Sequence, residues 1–329
     1  MSSMIYFLIV LILALLDKAQ SLNADGVALG TFKKKLKTDP LNALGDWNIS
    51  DDTPCSWSGV MCANVPPYNI PRVVELSVIG KKISGPITHA LGALDTLRRL
   101  SLQDNNLTGT LPIDLFNATS LKTILLGNNN ISGHLPHEIE NLQSLETLDI
   151  SKNHLSGVIP SSITNCKRLQ TLVLAHNQLW GSIPLGFGAN FTYLEELDLS
   201  SNYLSGTIPE DLGQLPSLQG TLNLSYNHLW GSIPSSLGKL PYIVSLDLSH
   251  NNLSGEIPQN GTLGDQGASP FVGNPELCGF PLNVICHASS PPPLPNLPAE
   301  GSSTPTRKPK VCMDQAKSKS SLSVGAIVG

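Results

Sequence analysis

Apolar residues recur along most of this chain in short alternating bursts set at a fixed distance. In Leu145-Glu-Thr-Leu148-Asp-Ile150-Ser-Lys-Asn153-His-Leu155-Ser-Gly157-Val-Ile159-Pro160, the triplet Leu148-Asp149-Ile150 turns two aliphatics to one side and one polar residue to the other. That period of two is the mark of a short strand with one face in a core. Nearly the same text returns as Leu194-Glu-Glu-Leu197-Asp-Leu199-Ser-Ser-Asn202-Tyr-Leu204-Ser-Gly206-Thr-Ile208-Pro209. Aligned on Asn105, Asn129, Asn153, Asn177, Asn202, Asn227 and Asn251, the steps are 24, 24, 24, 25, 25 and 24 residues, and one more unit lies upstream with Lys81 in the asparagine slot.

This period falls in the 20–29-residue window of leucine-rich repeats. The fold class it implies is an α/β solenoid, a right-handed curved superhelix whose strands pair into one parallel sheet on the concave face. Each slot has a physical reason. After the strand the chain must turn, and an inward asparagine amide bonds backbone groups that would otherwise be buried unpaired at about 1–3 kcal/mol each. The glycine supplies a backbone conformation closed to other residues. The Ile-Pro pair favours extended chain on the convex side, where the donor that proline lacks is not needed. Further apolar residues such as Ile163 and Leu169 fill the core. Lys81 stands where the ladder gives way to a cap, so its lack of an amide is tolerable there. Cys166, in a leucine slot, reads as a small buried thiol. The units at Asn202 and Asn227 carry one extra residue each, near Phe191 and Gly220, expected as small bulges on the convex side or where a strand begins.

Charged residues make up 14% of the chain and net charge is −5, which gives no basic face for nucleic acid. High Pro (25) and Gly (28) fit a turn in every short repeat. Residues 1–21 read as an export signal, with an apolar run Ile5–Leu16 and small residues at Ala19 and Ser21. Asn-X-Ser/Thr sequons at Asn48, Asn106, Asn117, Asn130, Asn190, Asn223, Asn252 and Asn260 agree with a secretory route, although the repeat itself generates several of them. Residues 287–320, rich in Pro, Ser and Lys, read as a disordered linker. Residues 321–329 turn apolar and read as the start of a truncated transmembrane helix, a full span taking about 20 residues.

A solenoid needs caps at both raw ends. Residues 22–70 form the expected N-terminal cap, with Asp25–Leu36 as a helix on the spacing Val27, Leu29, Phe32, Leu36, followed by Trp47 and Cys55-Ser-Trp57-Ser-Gly59-Val60-Met-Cys62. Repeats occupy 71–262. Residues 263–286 form the C-terminal cap, with Asn274-Pro275-Glu-Leu277-Cys278-Gly279 and Cys286. In an exported chain Cys55 pairs with Cys62 and Cys278 with Cys286, each bridge worth about 2–3 kcal/mol in the entropy model. Spacings of seven and eight do not suit a zinc knuckle, so no metal is assigned. Cys312 is left over in the linker.

Together the Trp57-Ser-Gly59-Val60-Met-Cys62 cap, the Leu-Ser-Gly-X-Ile-Pro repeats and the Asn274-Pro275-Glu-Leu277-Cys278-Gly279 cap resemble the extracellular half of plant leucine-rich-repeat receptor-like kinases. The text from Thr221-Leu-Asn-Leu-Ser-Tyr-Asn-His-Leu through Cys286 is most similar to a subgroup with about eight repeats and often an atypical kinase domain. The Gly-rich loop, Val-Ala-Ile-Lys and His-Arg-Asp texts of a kinase do not occur. The resemblance implies a binding ectodomain and not an enzyme, without cofactor. Its partner would be an extracellular peptide, a protein ligand or a co-receptor ectodomain, with the repeats outside the plasma membrane. The rivals are a secreted inhibitor of a cell-wall-degrading enzyme and a structural wall protein. Family members bind mostly on the concave face, which makes two outward strand columns the candidates. The first runs Ser77, Ser101, Leu125, Asp149, Val173, Asp198, Asn223, Asp247, largely repeat consensus. The second runs Gly80, Asp104, Asn128, Lys152, His176, Ser201, Tyr226, His250, and its Asp104, Asn128, Lys152, His176, Tyr226 and His250 are the ligand-binding candidates. Trp180 and Trp230, in place of the repeat serine and two units apart, are candidate interface aromatics on one flank. No catalytic arrangement exceeds what repetition produces.

Overall fold

The structure is a computed structural model and describes residues 22–66 and 69–286. The expected signal segment, the linker with Cys312 and the apolar segment 321–329 lie outside the described residues. The chain divides after Cys286 into two units, of which the first holds both caps and all the repeats.

The cap helix α1 spans Ala24–Lys35, with Asn23 capping its first turn by accepting the Gly26 N–H at 2.9 Å and three lysines in its last turn. Ala28, Leu29 and Phe32 are buried, whereas Val27 is 56% exposed. The inward face keeps Leu29, Phe32 and the core-contacting Leu36 of the expected stripe and departs from it only in turning Ala28 in and Val27 out. It follows Leu29 and Phe32, which carries Asp25, four residues before Leu29, into the interior. There the Asp25 carboxylate accepts Arg72 Nε at 2.9 Å and Nη2 at 2.8 Å, and the Val73 N–H at 2.8 Å. Behind the helix Trp47 stacks on Trp57 at 5.2 Å, and the Cys55–Cys62 disulfide closes the loop. Strand Val60–Val65 then runs antiparallel to Ile70–Ser77 and caps the first sheet.

From Ile70–Ser77 that sheet continues in parallel through three-residue strands such as Thr123–Leu125, Thr147–Asp149, Thr171–Val173 and Glu196–Asp198, nine strands in all. They pair without slip, Thr147 opposite Thr123 and Thr171 opposite Thr147. The inward leucines and isoleucines are essentially inaccessible. Short 3-10 turns such as Ser161–Asn165 line the opposite side.

Each asparagine anchor lies inside, at 5–7% exposure. The Asn153 Nδ2 donates to the carbonyls of Leu126, Ile150 and Ser151 at 3.0–3.2 Å, and its Oδ1 accepts the Ile131 N–H at 2.9 Å. Every rung repeats this set. Asn274, expected only as part of the cap, is one more rung, accepting the Leu253 N–H at 3.0 Å. At the other end the Lys81 N–H donates to Asn105 Oδ1 at 3.0 Å, so the first coil borrows its bonding from the second. Cys278–Cys286 closes the far cap.

One element departs from expectation. The Asn-X-Leu-Ser-Gly text, where the pattern predicts only turn and extended chain, forms strands of its own. Among them are Asn130–Gly133, His154–Gly157, Gln178–Gly181, Tyr203–Gly206 and His228–Gly231, which pair into a second parallel nine-stranded sheet. Their alternation is real but short, one buried aliphatic residue between two outward ones. Gly157, at φ +85°, ends its strand. The two extra residues fall where expected. Near Phe191 the 3-10 turn is replaced by a short helix α2, Phe187–Asn190, and Gly220 sits where a strand begins, its N–H bonded to Glu195 O at 2.9 Å.

Candidate ligand-binding face

Outward positions of the first sheet and the turns that follow its strands form one repeated face. Of the first column, Asp149, Val173, Asp198, Asn223 and Asp247 are half-buried strand residues. Ser101 departs from expectation: it is fully buried, covered by Arg99, whose Nε donates to its Oγ at 3.1 Å. The aspartates are held by their own loops, Asp149 Oδ1 accepting the Ser151 N–H at 2.9 Å and hydroxyl at 2.7 Å, and Asp198 and Asp247 accepting the N–H two residues on.

The second column is not in the strands. Asp104, Asn128, Lys152, His176, Ser201, Tyr226 and His250 all have φ between +51° and +60°, the left-handed turn that follows each strand. The anchor asparagine must point inward immediately afterwards, and the residue before it absorbs the reversal. The cost of that conformation is offset by an unbroken backbone ladder: Lys152 N–H donates to Ala175 O and His176 N–H to Ser200 O, both at 2.9 Å. Side chains at these sites are thereby lifted clear of the sheet, and Asp104, Asn128, Lys152, His176, Tyr226 and His250 are all exposed. Within the column Asn128 Nδ2 donates to Asp104 Oδ1 at 2.9 Å, and Tyr226 stacks on His250 at 4.3 Å. Lys152 and His176 stand between these pairs on adjacent coils.

A third outward column lies outside the sequence expectation. The residue before each first inward aliphatic of the strand triplet is Glu75, Arg99, Thr123, Thr147, Thr171, Glu196, Thr221 or Ser245, and the same period of two that identifies the strands places them outward. Basic groups collect early: within the column Arg99 meets Glu75 at 3.6 Å, and one residue before it Lys122 meets Glu146 at 2.7 Å. Acidic groups collect later. Burial raises the Glu196 carboxyl above the usual carboxylate range, helped by repulsion from Asp198 and Asp149 on the same face. The face thus runs from ion-paired at its first coils to net acidic over its middle and later ones.

Other candidates separate cleanly. Trp180 and Trp230 lie in the second sheet at 55% and 52% exposure, away from this face. Of the sequons, Asn48, Asn106, Asn117, Asn130, Asn252 and Asn260 are exposed, while Asn190 and Asn223 are half-buried. The Asn190 Nδ2 already donates to Gly186 O at 2.9 Å. Cys166 is buried, its Sγ 3.2 Å from Ile139 O, and burial pushes its thiol up to about 12, so it is an inert packing group. Among the described residues no cluster of three His, Cys, Asp or Glu is disposed to hold a metal, and no helix is long and apolar enough to cross a membrane.

A family model described as leucine-rich repeat region matches residues 72–296, and one described as leucine rich repeat N-terminal domain matches 22–63. A probable inactive leucine-rich repeat receptor-like protein kinase of Arabidopsis thaliana is 58% identical over 268 residues, covering 82% of this chain but 38% of its own length. Among solved structures the chain resembles the PEPR1–AtPEP1 complex at TM-score 0.66 and 34% identity over 76% of this chain and 37% of that one. It also resembles the Arabidopsis receptor kinase HAESA bound to the peptide hormone IDA and the co-receptor SERK1, at TM-score 0.59 and 38% identity over 64% and 35%. The chain therefore spans little more than a third of these relatives. Since the repeat-region match covers well over half of the chain, and its strands, turns and inward amides stack as that repeat requires, the chain belongs to the leucine-rich-repeat family.

Proposed function

We propose that this chain is the extracellular, ligand-binding portion of a plant receptor-like kinase, reaching the plasma membrane through the secretory pathway. It recognises an extended peptide or a partner ectodomain on its first sheet and adjoining turns. It binds and does not catalyse. The observation that carries this is the second column: exposed, chemically varied side chains held at one repeated backbone position by a backbone ladder that does not depend on their identity. The likeness to HAESA, solved with a peptide hormone bound, supports the same reading. Because the middle and later coils are acidic, the ligand segment over them is basic, with Lys152 and His176 setting register where the acidic stretch begins.

Selection of displayed random peptides on the secreted, glycosylated chain tests this. Binders enriched in Lys and Arg are expected. Each should lose about tenfold or more in affinity against the combined variant Asp198→Ala, His176→Ala, Tyr226→Ala. Peptides that bind this variant as well as the parent would place recognition elsewhere.

A further inference from the structure

The second sheet carries an aromatic strip that the proposed receptor function does not use. Trp180 of Gln178–Gly181 is the register partner of Tyr203 in the next strand. The Tyr203 ring stacks on that of His228 at 5.9 Å and 21°. Trp230 follows His228 by two residues on the same outward face of the same strand. Trp180, Tyr203 and Trp230 are each more than half exposed. Three adjacent coils therefore present four aromatic rings on one outward face, with one buried leucine per strand beneath them.

Packing does not explain the tryptophans. Other coils place Ser132, Ser156, Ser205 and Ser254 in the same slot and stack equally well. Charge sorts the occupants. The strands from His154 to Gly231 in this sheet contain no Asp, Glu, Lys or Arg. A nucleic acid would need cations for its phosphates, and a charged peptide would find no counter-ion here. Hydroxyl-bearing residues follow the rings along the chain, among them Ser182, Ser205, Thr207 and Ser232. Aromatic plates with neutral hydrogen-bonding groups at their margins match the two sides of a sugar ring, an apolar C–H face and a hydroxyl edge.

A second observation is independent of the rings. The outward first position of these strands is a sequon asparagine at Asn106, Asn130 and Asn252. In the four strands between, it is His154, Gln178, Tyr203 and His228. Glycan acceptors thus bracket the strip and leave it clear. We propose that this flank is a binding site for a neutral oligosaccharide, with Trp180, Tyr203, His228 and Trp230 as the stacking platform, separate from the peptide-binding face.

The test uses the secreted, glycosylated full chain and the double variant Trp180→Ser, Trp230→Ser, which restores the residue that neighbouring coils carry and so keeps the fold. The other two tryptophans of the chain, Trp47 and Trp57, are buried in the cap, so fluorescence change on titration reports the strip. Cellohexaose, xylohexaose and laminarihexaose are the probes, with hexagalacturonate as the charged control, and calorimetry gives affinities. Saturable binding of at least one neutral hexaose is expected. The control should bind about tenfold more weakly, and the double variant should lose about tenfold in affinity at an unchanged melting temperature. Absence of saturable binding to all three neutral probes overturns the proposal, as does a double variant that binds them unchanged. A chain whose only response to the double substitution is a shift from dimer to monomer in sedimentation would assign the strip to a second copy and likewise overturn it.

Discussion

At the scale of single residues, the fold rests on an amide whose two ends do different work. Leu126 O accepts from both Asn129 and Asn153, so each such carbonyl keeps a partner if one rung is lost. On the acceptor side the Ile131 N–H donates to Asn153 Oδ1 at 2.9 Å, a bond from the next coil that only this rung supplies. Asn153→Ala should therefore destabilise by about 2–4 kcal/mol, mostly from one orphaned buried donor and the space left behind. Asn153→Asp keeps the acceptor but turns a carboxylate toward three carbonyls, and should be at least as damaging. Thermal unfolding of the three proteins checks this order, and an aspartate variant as stable as the parent would refute the importance of the donated bonds. This residue is legible in the sequence because its slot repeats. The left-handed turn before it is not, since Asp, Asn, Lys, His, Ser and Tyr all occupy that slot and only the structure shows their common φ.

Among elements, the concave strands are plain from their period-two alternation, while the second sheet is hidden. Its repeat strands each bury a single aliphatic side chain, too little alternation to separate strand from turn. Without that sheet Trp180 and Trp230 look like isolated aromatics, when Tyr203 and His228 complete their surface. The cap helix is legible in place and in most of its face, while Asp25 is not, because a buried carboxylate leaves no apolar signal. Asp25 joins helix α1 to strand Ile70–Ser77 through Arg72 and the Val73 N–H, with Asp95 a further partner of Arg72 at 2.6 Å. Asp25→Ala leaves that N–H unpaired and the guanidinium half-compensated by Asp95. It should cost about 3 kcal/mol, the lower end of the range for a broken buried pair, measurable by chemical denaturation. A loss under about 1 kcal/mol would mean that the cap docks by apolar contact alone.

For the whole described unit, stacked coils make a quasi-one-dimensional molecule in which each repeat touches only its neighbours and two faces of different chemistry run in parallel. Repetition makes the architecture readable almost completely and the sites only partly. A repeat fixes where outward side chains stand, while recognition depends on where they depart from consensus. The charged concave face and the uncharged aromatic flank are two such departures. Side-chain oxidative footprinting of the chain bound to a selected basic peptide separates them most directly. Tyr226 in the turn column and Tyr203 on the flank are equally exposed at 56% and 55%, so any difference on binding reflects the ligand. Peptide recognition on the concave side predicts protection of Tyr226, His176 and His250 with Tyr203, Trp180 and Trp230 unchanged; protection of the flank with the turn column left reactive would contradict it.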